Sequence, residues 1–455
     1  MRSMVEGQVP PHSVRYLLSR PACAPPPSVG WSPSPCRGGW ELTYTAVSPS
    51  SHPMRMPINL IAAVSALALT APLHAKTLAV AAGDGAQARL QEALILAEPG
   101  DVVELGAGRF TLTDGLSLDV NDVTVRGAGM EATVLDFTGQ KGAGEGLLVT
   151  SDNVTLRDFA VENTRGDGIK SKGADNIVYY RIRVEWTGGP RETNGAYGIY
   201  PVESTGVLVD GCKVTGASDA GIYVGQSKDI TVRYNMAEYN VAGIEIENSR
   251  QALVTGNLVT RNTGGILVFD LPNLPVMNGG QTVIEHNLVI ANDTPNFAPK
   301  GNIVAGVPRG TGVMIMANDT VLVKDNTLVD NSTGQIMVVA YPNAFDDKRY
   351  NPFPRRVVIG ENRITGGGTD PALPGGDQLK AAFGGALPPV LWDGLGGKDA
   401  LALVPSAPVL TLNLPAQGVG MDKANPGLVT PAIPAELVMP GPVGAPAALE
   451  ARIAR

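Results

Sequence analysis

The chain of 455 residues carries 35 Lys and Arg against 43 Asp and Glu, a formal net charge of −8, with 44% hydrophobic residues, 55 Gly, 36 Pro and 3 Cys. An acidic chain of this kind is not built to grip nucleic acid or an anionic membrane surface, and so few cysteines supply no disulfide framework. The length suggests two or three domains unless the chain grows along one axis.

Residues 1–53, Pro- and Ser-rich with Cys23 and Cys36, read as a misassigned upstream start or a disordered leader. Met54-Arg55-Met56 then opens a short basic region before the apolar run Ile58 to Leu73, and Leu73-His74-Ala75 offers a cleavage point before Lys76. Residues 54–75 are therefore expected to be a signal peptide. The run is too short to span a bilayer comfortably, so the mature chain is expected to lack a transmembrane segment and to reside in the periplasm or outside the cell. The first 75 residues hold five of the basic and two of the acidic side chains, which leaves 30 against 41, a net of −11. Cys212 remains as the one thiol.

From Ala86 to Ala97 the spacing predicts a helix that stops before Glu98-Pro99-Gly100-Asp101 and is followed by the strand Val102-Val103-Glu104-Leu105. Such a helix would cover the open end of a solenoid, whose unpaired edge otherwise invites aggregation. The solenoid itself is announced by a repeat: Gly146-Leu147, Gly168-Ile169, Gly198-Ile199, Gly221-Ile222, Gly243-Ile244, Gly265-Ile266 and Gly312-Val313, with four of the six steps 22 or 23 residues long. Short β-rich runs inside a period near 22 predict a parallel β-helix over residues 76–365. A second column aligns Phe159, Ile182, Cys212, Asn235, Asn257, Asn287, Asn326 and Asn362. Four of its asparagines are followed five residues later by Asn240, Asn262, Asn292 and Asn331. Stacked amides about 4.8 Å apart can hydrogen-bond from turn to turn and brace the corners. Residues 366–455, rich in Pro, Gly and Ala, read as an irregular tail.

The segment AEPGDVVELGAGRFTL, the Gly-Ile and Asn registers and GASDAGIYVGQSKDITVRYN resemble the right-handed parallel β-helix repeat proteins of the pectate-lyase-like superfamily. Within it, WTGGP through NGAYGIYPVES, NVAGIEIENS and NTGGILVFDLPNLP are similar to a group of bacterial secreted β-helix proteins. The resemblance spans Gly83 to Tyr341 and implies an all-β solenoid. It implies no single activity, since this fold hosts lyases, hydrolases, epimerases and non-catalytic proteins.

Specific chemistries narrow the field. The Asp-Pro-His-Asp motif of alginate C5-epimerase relatives is absent, because His286 is the one histidine after the cleavage point. The clustered aspartates, Gly-His-Gly and Arg-x-Lys of polygalacturonase relatives are also missing; Gly166-Asp167-Gly168-Ile169 supplies one aspartate only. A histidine metal site and a Ser-His-Asp set lack members. β-Elimination from a uronic acid needs no histidine: it requires the substrate carboxylate to be neutralised and a base such as Lys, Arg or Tyr to take the C5 proton.

With the isoleucines of the Gly-Ile strands inward, one outward column reads Lys170, Tyr200, Tyr223, Glu245, Leu267 and the next Lys172, Val202, Gly225, Glu247, Phe269. The insertions 185–196, 271–280, 293–309 and 343–355 abut the same strands and would wall a groove there. The expected catalytic residues are Tyr200, Tyr223 and Lys170; the expected substrate-binding residues are Arg191, Lys172 and Phe269. Glu245, Glu247 and Asp270 are the oxygens that would take Ca²⁺ as cofactor. The expected partner is an acidic polysaccharide. A second reading is a non-catalytic module that binds a glycan or another envelope protein, and a third, metal delivery through Met314, Met316 and Met337, lacks His and Cys ligands.

Overall fold

A computed structural model describes residues 75–142 and 144–454. The leader and the apolar run of the expected signal peptide, up to residue 74, lie outside the described residues.

Helix α1 (Ala86–Leu96) buries Ala86, Leu90 and Leu94 over the first turn. Beside it Thr77–Val80 and Val102–Leu105 begin a parallel stack. One coil shows the plan of the rest. Ala220–Gly225 lies in a first sheet, Lys228–Arg233 in a second and Met236–Glu238 in a third. Ala242–Glu247 then returns to the first sheet, in register with Ala220–Gly225. Among the described residues the first sheet has twelve strands, and the second and third are joined through the bend between them into one network of twenty. The three inner faces share one core of Val, Ile and Leu running the length of the solenoid.

The glycine column has a steric cause. A β-carbon on Gly198 would stand 2.3 Å from Val214 Cγ1 and 2.6 Å from the Gly221 carbonyl oxygen, and one on Gly168 would stand 2.5 Å from Val184 Cγ1. The glycine thus lies where the third sheet presses on the first. The next residue, as Ile199 and Ile222, fills the core.

The asparagine column turns the bend. Asn235, Asn257, Asn287 and Asn326 each receive the backbone N–H and side-chain amide of the residue one coil earlier or pass their own to the next, at 2.8–3.0 Å. The second column, Asn240, Asn262, Asn292 and Asn331, repeats this at 2.9–3.2 Å. Before each bend the chain passes through left-handed φ at Tyr234, Gly256, His286 and Asp325. His286 therefore holds a turn position and is exposed. In the early coils Phe159 and Ile182 take the ladder place and the strands Thr155–Glu162 and Ile177–Glu185 run through the bend unbroken. Cys212 is buried and carries no disulfide.

The solenoid does not stop at Thr365 as the repeat suggested. Val390–Trp392 and Val409–Thr411 extend the first sheet, and Leu401–Leu403 extends the second. Gly427–Val429 closes the first sheet antiparallel. These strands are only three residues long and are separated by Pro- and Gly-rich links, including α2 (Gly376–Ala382), so no period survives. The chain then runs back along the outside of the second sheet. Leu437 and Val443 pack on Val283, Leu322 and Val358, and in α3 (Ala447–Ile453) Leu449 packs on Val178 and Leu208. The outer face containing Arg157, Asp210 and Arg233 is therefore covered at its early coils.

Charge fastens this strap. Arg233 pairs Glu450 at 2.6 Å, and the Arg452 guanidinium donates to Thr155 Oγ1 at 3.0 Å and to the carbonyls of Asn153 and Asn176. Burial pushes the Arg452 group down to about 10. Arg452→Ala is expected to free the strap without melting the solenoid, because the lost bonds belong to the docked tail alone. Limited proteolysis should release C-terminal fragments about tenfold faster, the change that follows from about 1.4 kcal/mol of weaker docking, while the thermal midpoint stays close to the parent's.

Candidate functional site

The outward columns of the first sheet fall where alternation placed them. Lys170 pairs with Tyr200, Tyr223 with Glu245 and Glu245 with Leu267 across the coils; Gly225 pairs with Glu247 and Glu247 with Phe269. Tyr197, at the start of its strand, joins Tyr200 and Tyr223 in a cluster with ring centroids 4.5, 4.5 and 4.9 Å apart. Gly225 makes this possible: a side chain there would collide with the Tyr223 ring, which leans across it to donate its hydroxyl to Glu247 Oε1 at 2.8 Å.

The strip is roofed rather than open. Tyr223 is 5% exposed, Glu247 7%, and Glu245 and Phe269 1% each. The insertions that were expected to wall a groove fold over it: Leu271, Leu274 and Met277 from one loop and Val304 and Val307 from the next pack with Tyr223, Leu267, Phe269, Met314 and Met337 in a second apolar core. Phe269 is therefore a packing residue beneath the loops and not a substrate platform. The same holds for the three methionines. Lys170, Lys172, Tyr197, Tyr200 and Asp167, at the earlier coils, remain half-buried.

At these coils Lys170 Nζ stands 3.5 Å from Glu145 Oε1 and 5.0 Å from the centroid of the Tyr200 ring. Asp167 Oδ1 accepts the Tyr197 N–H at 3.2 Å. Burial pushes the Asp167 carboxyl up to about 7, with Lys170 opposing and Glu145 adding to the shift. Arg191 is exposed with its guanidinium against Gly188, in the inserted loop, so it is not brought onto the strip.

Deeper in, Asp219 joins the set. It is buried, accepts the Asn302 side-chain amide at 3.2 Å and is pushed up to about 8 by burial and then by Glu247. Burial also raises Glu247 to about 7 against the Tyr223 hydrogen bond. Glu245 is pushed well up by burial and by Asp219 and Glu247, and neither of its oxygens has a hydrogen-bond partner. The Tyr197, Tyr200 and Tyr223 hydroxyls are all pushed up, by burial first and by the neighbouring carboxyls second, and so hold their protons. Tyr200 and Tyr223 are therefore neutral, and the Tyr223 hydroxyl is already engaged with Glu247.

The three oxygens expected for Ca²⁺ do not converge. Glu247 is taken by Tyr223, Asp270 accepts the N–H groups of Asn278 and Gly279 at 3.2 and 3.0 Å, and neither Glu245 oxygen has a hydrogen-bond partner. Among the described residues no group of three or more His, Cys, Asp or Glu side chains is arranged to hold a metal ion.

The repeat alone singles out neither Asp219 nor Asp167 as a site residue. Both stand just before a Gly-Ile pair, in Asp167-Gly168-Ile169 and Asp219-Ala220-Gly221-Ile222, which is the available signal.

The acid set predicts a pH dependence of stability. A carboxyl whose folded value lies above its unfolded value stabilises fully below the unfolded value and loses that contribution as pH rises through the folded one. Asp219, Glu247 and Asp167, raised from 3.8–4.5 to about 7–8, therefore favour folding at pH 4 and cease to do so by about pH 8. Each group contributes a slope of about 1.4 kcal/mol per pH unit between those limits. The thermal midpoint is expected to fall from pH 5 to pH 9, and to fall less in Asp219→Asn; equal slopes in the two proteins would show that this carboxyl titrates normally.

Residues 121–278 match the family described as right handed beta helix region. No curated protein matches the sequence. Among solved structures the chain is similar to the A-module of the Azotobacter vinelandii mannuronan C-5 epimerase AlgE4, at 14% identity and TM-score 0.48, over 72% of this chain and 94% of that one. It is also similar to the N-terminal fragment of bacteriophage Phi29 gene product 12, at 13% identity and TM-score 0.46, over 70% and 59%. A third is the alginate lyase of Paenibacillus sp. str. FPU-7, at 17% identity and TM-score 0.32, over 64% and 95%. Three stacked parallel sheets around one continuous core, together with the matched segment, make this chain a right-handed parallel β-helix protein.

Proposed function

We propose that the outer strip of the first sheet is the working face of an envelope enzyme that modifies an acidic polysaccharide, with its reacting centre at the Lys170–Tyr200–Asp167 mouth. The observation that supports this reading is the coupling of an aromatic cluster to carboxyls balanced near neutrality: Tyr197 and Tyr200 offer ring faces for a sugar, and Asp167 at about 7 can both take and return a proton at physiological pH. Placement in the envelope rests on the apolar run before Lys76. Among the described residues no helix is long and apolar enough to cross a membrane.

The chemistry that fits these groups is β-elimination. Lys170, with Lys172 one outward position on, pairs the uronate carboxylate and so acidifies the C5 hydrogen. The Asp167 carboxylate takes that proton, the electron pair becomes the C4–C5 double bond, and the C4–O4 bond breaks. The Tyr200 hydroxyl gives its proton to the departing oxygen and recovers one from water.

A second reading, a binding module without turnover, is favoured by the burial of Tyr223, Glu245 and Phe269 beneath the loops. Incubating the protein with uronate polysaccharides and following the absorbance of an unsaturated product separates the two. Product that grows with time supports the enzyme; saturable binding with no product supports the module.

A further inference from the structure

The strip is graded in charge. Its first coil presents Lys170 and Lys172, whereas the outward positions of the next four coils, Tyr200 and Val202 through Leu267 and Phe269, contain no lysine or arginine. The acid end instead gathers Asp219, Glu245 and Glu247, and Glu245 is 1% exposed with both carboxyl oxygens unpartnered. The two ends are three coil steps apart, about 14 Å at the spacing of paired strands, which is a few sugar units.

A buried carboxyl with no partner needs hydrogen bonds, and the partner's charge decides which ligand can supply them. A ligand carboxylate at the acid end would find no cation and would meet three carboxyls that already lack one. Sugar hydroxyls both donate and accept, and so satisfy a neutral carboxyl through either oxygen, while the Tyr223 and Tyr197 rings meet the apolar face of the sugar. The loop of residues 293–309 is tied to this end through the Asn302 amide on Asp219, so a sugar reaches the acid end only when that loop lifts.

Resting on the carbohydrate reading above, we infer that the strip takes an acidic heteropolysaccharide, with a uronate at the Lys170 and Lys172 end and an uncharged sugar held through its hydroxyls over Asp219, Glu245 and Glu247. Homopolymeric uronates fit it poorly because each would place a carboxylate on the acid end.

Titration calorimetry of the full chain with three oligosaccharides of equal length tests this: an oligogalacturonate, a neutral glucan, and an oligomer with one glucuronate flanked by neutral sugars. The mixed oligomer is expected to bind at least about tenfold tighter than either homopolymer, since it alone satisfies both ends. Lys170→Gln should bring the mixed oligomer down to the level of the neutral glucan and leave the glucan unchanged. Tightest binding by the oligogalacturonate would overturn the inference and leave the carbohydrate reading standing. Absence of binding by all three would overturn both.

Discussion

Replacing Asn257 by leucine is expected to cost about 3–6 kcal/mol of folding stability, the largest effect of any single change considered. The amide sits at the centre of the ladder. It accepts the backbone N–H and side-chain amide of Asn235, each at 3.0 Å, and donates to Asn287 Oδ1 and the Val232 carbonyl, each at 2.9 Å. Leucine has the same number of side-chain heavy atoms and the same branching, and makes none of these bonds. Asn235 then loses two acceptors and Val232 its donor in a place where Asn235 and Asn257 are 2% and 1% exposed, so water cannot replace them. Each buried group left unsatisfied costs about 1–3 kcal/mol. Asn257→Asp is the informative companion, because it keeps the acceptor and loses the donor. A denaturant titration in which the leucine variant matched the parent would show that the ladder amides are not what closes the bend.

The ladder could be read from the sequence because its cause repeats: from Asn235 to Asn362 each coil turns the same corner with the same residue type, whereas Phe159, Ile182 and Cys212 hold the place in the earlier coils. The glycine column is legible for the same reason, since Gly168, Gly198, Gly243 and Gly265 meet Val184, Val214, Val259 and Val289. Strand alternation correctly put Lys170, Tyr200, Tyr223, Glu245 and Glu247 on one outer strip. It could not say what lies above them. Facing is a local property of the strand, whereas the cover over Tyr223 and Phe269 comes from loops that share no period with the repeat. The burial that turns Glu247 and Asp219 toward their neutral forms arises only when those loops fold back. The tail was illegible for a related reason: its strands hold three residues each, too few to show alternation.

Asp167→Asn is expected to lower turnover by about 10²- to 10⁴-fold while leaving affinity for a polysaccharide within about threefold of the parent, the split that marks a group acting in proton transfer rather than in binding. The substitution removes the proton-accepting oxygen but keeps a hydrogen-bond acceptor for the Tyr197 N–H, which Asp167 now holds at 3.2 Å. Shape at the mouth is preserved, and with it the Lys170 contact to the Tyr200 ring. The pH profile carries the second part of the test. In the parent, kcat/KM should rise through about pH 7, where Asp167 ionises and becomes a base. Lys170→Gln should lift that value further, because the lysine is what opposes the upward push of burial. A structural role for Asp167 would move stability and affinity together and leave the profile where it was. A binding module would show no turnover in parent or variant, and affinities that agree. Loss of turnover in Tyr223→Phe with full activity in Asp167→Asn would move the reacting centre from the mouth to the roofed acid end, and the loop of residues 293–309 would then have to open on every cycle.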